Sequence, residues 1–131
     1  MNTLQKIGEL AILGASWRPK AKGVLYEQER GRSCFIGALM EADGIVNWST
    51  WDGSVLREIQ YSSELEYRYP VLSHPLKLNK TIRCLCVNLN NFTDLSREDI
   101  AELLTSIKDF DPTVSIKEPQ PCDTSLQHVS T

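Results

Sequence analysis

Histidine is scarce in this chain, and so is any long apolar run. Only two histidines, His74 and His128, occur in the 131 residues, which narrows any imidazole chemistry to a few geometries. No apolar stretch approaches the ~20 residues of a membrane-spanning helix, so no membrane partner is expected. Residues Met1–Lys6 carry charge and no apolar signal core, and a cytoplasmic chain is expected. The four cysteines, Cys34, Cys84, Cys86 and Cys122, are few for a disulfide scaffold, and reduced thiols are expected. Gly-x-Gly-x-x-Gly, a phosphate-binding loop and His-Glu-x-x-His are all missing. Nucleotide and zincin chemistry thus have no support, and no cofactor is expected. Three Asn-x-Ser/Thr triplets, beginning at Asn47, Asn79 and Asn91, read as coincidence without a secretory route.

What is present is the material of one globular unit. Hydrophobic residues make up 41% and charged residues 24%, close to the globular norm. The net charge is −3, which argues against sequence-independent nucleic-acid binding over the whole surface. The charge is uneven: residues 1–33 carry +3, 34–70 carry −4, 71–95 carry +2 and 96–131 carry −4. The basic part concentrates in Arg18, Lys20, Lys22, Arg30 and Arg32, a patch that binds an anionic group or, more commonly, keeps a loop solvated.

Helical spacing of Leu4, Ile7, Leu10, Ala11 and Leu13 predicts a helix over Asn2–Leu13, capped by Asn2 with Gln5 and stopped by Gly14 in a left-handed conformation. Residues 17–23 read as a loop, and Val24–Tyr26 as a short extended piece. Ser33 precedes a second helix in which Phe35, Ala38, Leu39 and Ala42 recur at helical spacing, ended by Asp43-Gly44. It is apolar on more than one side and is expected to be central. Residues 45–69 hold much of the aromatic mass with poor periodicity, enough for one or two helical turns between Ser54 and Glu66. Ile82–Val87 reads as a strand buried on both faces, and Asn88–Asp94 as a turn. Ser96 caps the clearest helix, with Leu95 stapling to Ile100 and a stripe of Ile100, Leu103, Leu104 and Ile107. Asp111-Pro112 ends it. The fold class is α+β, a mainly helical single domain with a minor strand component over 1–111, followed by a mobile C-terminal tail over 112–131.

Four sites compete, each against a packing role. Cys34 opens the second helix at the positive end of its dipole, with Arg30 and Arg32 close in sequence, and both features favour thiolate. A cysteine hydrolase would pair it with His74, since His128 lies in the tail, and orient that imidazole with Asn79 or Asn90. Free cysteines more often simply pack. A metal set of Cys34, Cys84, Cys86, His74 and Cys122 has one atypical Cys-x-Cys pair where structural zinc sites use two pairs, so no metal is assigned. Trp17 and Tyr26 interleave with Arg18, Lys20, Lys22 and Arg30, which offers stacking beside phosphate contacts, yet the acidic remainder repels a polyanion. Finally, aromatics in irregular segments act as anchors for protein partners. That reading selects Trp17, Arg18, Trp48, Trp51 and Tyr61, against the alternative that they fill a core.

Gly31-Arg32-Ser33-Cys34-Phe35-Ile36-Gly37-Ala38-Leu39 resembles the G-R-x-C-x-x-G-A-L segment of a family of small uncharacterised bacterial and phage proteins. Gly14-Ala15-Ser16-Trp17 matches that family's Gly-x-x-W loop. Leu89-Asn90-Asn91 followed by Ser96–Ile100 stands where the family has a Trp-Asn-Asp turn and a helix, with Leu89 replacing the tryptophan and Asn91 the aspartate. The resemblance covers about half the chain. It implies a mainly helical domain and a phage or mobile-element source, and it transfers no mechanism. The expectation is a small cytosolic non-enzymatic protein that binds a protein partner, with the Cys34/His74 hydrolase as the alternative.

Overall fold

In the computed structural model, which describes residues 3–76 and 81–106, five helices and one two-stranded hairpin form among the described residues. The fold is the mainly helical α+β arrangement expected. Its centre is α2 (Phe35–Ala42), in which every residue from Phe35 to Met40 is buried. The residue that caps it is Cys34, not Ser33: its Sγ accepts the Gly37 N–H at 3.3 Å. Gly44 supplies the left-handed stop at φ +76°.

α1 (Thr3–Ala15) crosses α2 with almost no clearance. A Cβ built on Gly14 would stand 2.0 Å from the Ala38 carbonyl oxygen. Gly14 is therefore inside the helix, where it lets two backbones approach, and is not the left-handed terminator that the sequence pattern predicts. On its other flank α1 meets α5 (Arg97–Thr105), with the Gly8 position 3.2 Å from the Ala101 carbonyl oxygen by the same construction. Ser96 caps α5 as expected: its Oγ accepts the Asp99 N–H at 3.0 Å, and Asp99 Oδ2 accepts the Ser96 N–H at 3.2 Å. Ile100 and Leu104 are buried, while Leu103, assigned to the same stripe, is 43% exposed. Asn2, Ile107 and the predicted boundary at 111–112 with its tail lie outside the described residues.

The strand component sits elsewhere than predicted. β1 (Tyr26–Glu27) pairs antiparallel with β2 (Arg32–Ser33), Tyr26 opposite Ser33. Ile82–Val87 is instead the start of α4 (Ile82–Phe92), which also absorbs most of the turn expected over Asn88–Asp94. The cap decides this: Thr81 Oγ1 accepts the Cys84 N–H at 3.0 Å, and Ile82, Cys86 and Asn90 recur every fourth residue on the buried side. Ser54–Glu66 likewise resolves into one continuous helix, α3 (Val55–Arg68), capped by Ser54.

Two polar side chains tie these pieces together from inside. Asn90, 1% exposed, accepts the Phe35 N–H at 3.1 Å and donates to the Ala21 carbonyl at 2.8 Å. Arg97, 6% exposed, donates to the Ser33 carbonyl and hydroxyl at 3.1 and 3.0 Å and to the Ala15 carbonyl at 3.3 Å. It also donates to the Arg18 carbonyl. Burial lowers its pKa, with Glu98 and Cys34 opposing that shift. Its charge is met chiefly by carbonyl dipoles, one of them in the last turn of α1, where the helix dipole is negative.

At the far end of α3, the Tyr69 hydroxyl donates to Asp43 Oδ1 at 2.8 Å, and Arg68 Nη1 donates to the Asp43 carbonyl at 2.9 Å. Burial, and then the Asp43 bond, push the Tyr69 phenol from 10.0 up to about 12. The folded state therefore keeps a proton that the unfolded chain has lost, and stability falls as pH rises through that window. Buried Cys86 adds the same sign over a window from 9.0 to about 12. In urea titrations across that range, Tyr69→Phe is expected to flatten the alkaline fall in midpoint without abolishing it, the remainder belonging to Cys86.

Candidate functional site

Trp48 lies at the start of a single 3₁₀ turn (Trp48–Thr50) capped by Asn47, and three rings gather around it. Tyr26 stacks on it with centroids 5.1 Å apart and planes 3° off parallel. Trp51 meets it edge-on at 5.1 Å, and Tyr61 edge-on at 6.3 Å. Trp51 and Tyr61 are 5.9 Å from each other. The indole N–H of Trp48 donates to the Gly37 carbonyl at 2.9 Å. These are offset and edge-to-face geometries of the kind that add stability beyond area burial. Because Trp48 is 1% exposed, its assignment as a partner anchor is corrected: it is the hub of an interior cluster. Trp51 and Tyr61 are half-buried against it and present only part of their rings.

Arg18 is also engaged internally. Its Nε and Nη2 fork onto Glu41 at 2.9 and 3.0 Å, Nη2 reaches Ser49 Oγ at 3.0 Å, and the guanidinium lies 5.1 Å over the Tyr26 ring. The Glu41 bond raises its pKa, with burial opposing. This fork, with both side chains at 16% and 11% exposure, holds the chain after α1 against the end of α2. The neighbouring basic residues are engaged too. Lys20 Nζ donates to the Leu95 carbonyl at 2.6 Å, Lys22 stands 3.8 Å from Asp94, and Arg30 stands 3.7 Å from Glu27. Burial lowers the Lys20 pKa. Of the sequence-predicted anchors, Trp17 alone keeps a widely exposed ring, at 52%.

The cysteine region is closed. Cys34 is 2% exposed and His74 7% exposed. Asn90, offered as an orienting group, holds Phe35 and Ala21 instead, and Asn79 lies outside the described residues. Around α2's first turn stand Arg97, Arg83 and Cys86, each electrostatically coupled to Cys34. Burial, and then Cys34, push the Cys86 thiol up to about 12. Arg83, 5% exposed, donates from Nη1 to Glu66 at 2.9 Å and from Nη2 to Ser62 at 3.1 Å. Burial lowers its pKa against the pull of Glu66. A nucleophile has to meet its substrate, and a sulfur with this exposure is shut away from one. Among the described residues, no three His, Cys, Asp or Glu side chains gather closely enough to hold a metal ion.

What sequence reasoning passed over is the outer face of α3. Val55, Leu56, Ile59 and Tyr67 are 40%, 66%, 47% and 82% exposed, while Glu58, Ser62 and Leu65 face inward. The apolar residues at helical spacing were the available signal, obscured because a second, inward stripe overlaps them in sequence. No helix among the described residues is long and apolar enough to cross a membrane. Comparison with family models, curated proteins and solved structures gives no match.

Proposed function

We propose that this chain is a small cytoplasmic, non-enzymatic binding protein that acts on a protein partner, with Trp17 as its anchor. The observation that supports this is the 52% exposure of the Trp17 ring. It stands in the segment that Arg18 and Arg97 hold rigid from either side. A large aromatic on a fixed backbone binds at low entropic cost. Leu13, one turn earlier and 47% exposed, extends the apolar surface. The partner's matching surface is an apolar pocket with an acceptor for the indole N–H. A phage or mobile-element source rests on the resemblance of the Gly31–Leu39 segment.

Affinity capture on immobilised wild type and Trp17→Ala tests this, with both melted in parallel. The expected result is a captured protein lost from the variant while stability stays within about 0.5 kcal/mol, as for a surface substitution. Identical capture by both proteins would end the reading.

A further inference from the structure

The outer face of α3 carries a second, independent inference. From Leu56 the exposed positions run Leu56, Ile59, Ser63 and Tyr67, a three-four-four spacing that keeps them on one side of a 14-residue helix. The helix is about 21 Å long, enough for a helix–helix seam. Its profile is bulky at both ends and small at Ser63. Charge flanks it asymmetrically, with Arg57 near the N-terminal end and Glu64 near the C-terminal end.

We propose that this face binds a second copy of the chain, the two α3 helices running antiparallel about a two-fold axis near their midpoints. In that arrangement Tyr67 seats on Val55 and Leu56 of the second copy, and Ile59 fills the space over Ser63 of the second copy. Arg57 stands opposite Glu64 of the second copy, on both sides of the axis. The contact is self-complementary, as a two-fold interface requires. Arg57 and Glu64 lie seven residues apart on one flank of this face, and a parallel pairing would place that flank of the two copies on opposite sides of the seam, leaving the two charges no contact across it. In the single chain, Arg57 has only a loose 3.7 Å contact with Asp52, both well exposed. Arg68 engages Glu64 Oε1 at 2.9 Å.

Sedimentation equilibrium of the full chain over two decades of concentration tests this. The wild type is expected to shift from one chain mass towards two. Tyr67→Glu, at an 82% exposed position, should weaken association by more than about tenfold with an unchanged melting curve. Arg57→Glu and Glu64→Arg should each weaken it by roughly two- to fivefold, and the double exchange should restore it. A monomer at every concentration overturns the proposal, and so does a dimer indifferent to Tyr67→Glu. Failure of the double exchange to restore pairing overturns the antiparallel arrangement. None of these outcomes touches the Trp17 reading, whose variant lies on a different element.

Discussion

Trp48→Ala is expected to destabilise the protein by about 3–5 kcal/mol, the range for truncating a fully buried aromatic. Three losses combine. The indole leaves a void between Tyr26, Trp51 and Tyr61, whose rings now pack on it at 5.1, 5.1 and 6.3 Å. The ring contacts themselves disappear. The Gly37 carbonyl loses the donor it receives at 2.9 Å, deep in a helix whose neighbours are all buried. Since total domain stability is about 5–15 kcal/mol, a large share of it goes. The check is the urea midpoint at constant slope, and Trp48→Phe should recover part of the loss by refilling volume without the N–H. A loss under about 1 kcal/mol would mean that Trp48 is a surface group, returning it to the binding residues.

Arg97→Met is expected to cost about 3–5 kcal/mol, the range for breaking a buried charged network from one side. Methionine keeps much of the length and none of the donors. The Ala15 and Arg18 carbonyls lose the guanidinium, while the Ser33 carbonyl retains the Ala21 N–H at 2.9 Å. Each buried acceptor stripped of its donor costs about 1–3 kcal/mol. Arg97→Lys should recover only a fraction, because a single ammonium cannot span acceptors that the planar fork reaches on both sides. Equal stability of the lysine variant and wild type, by urea titration, would show that charge rather than the fork matters.

How much of this was legible depended on whether the deciding contact was local. Ser96 and Asp99 cap one another within three residues, so α5 could be read from the chain alone. The Asp43-Gly44 stop of α2 was equally local. Ile82–Val87 misled because a six-residue run, apolar except for Arg83, suits either a strand or a helix, and the discriminating group, Thr81, lay just outside that window. α3 was obscured by its two faces: Tyr61 and Leu65 turn inward, while Val55, Leu56, Ile59 and Tyr67 turn outward, so no single stripe stands out. Gly14 shows the limit most sharply. Its importance comes from Ala38, twenty-four residues away, and a glycine at a helix end is the ordinary sign of a stop. The same held at the candidate site, where an exposed Trp17 and an interior Trp48 are both aromatics in irregular sequence. Only packing across the chain separates them.

Arg97 and Asn90 grip mostly main-chain atoms: the oxygens of Ala15, Arg18, Ser33 and Ala21, and the amide of Phe35. Every amino acid offers that oxygen, and all but proline that amide, so the gripped positions are free to drift as long as the backbone keeps its path. The two gripping side chains have no such latitude. Divergent descendants of this fold should therefore be traceable by an arginine and an asparagine seven residues apart, long after the sequences they hold have become unrecognisable.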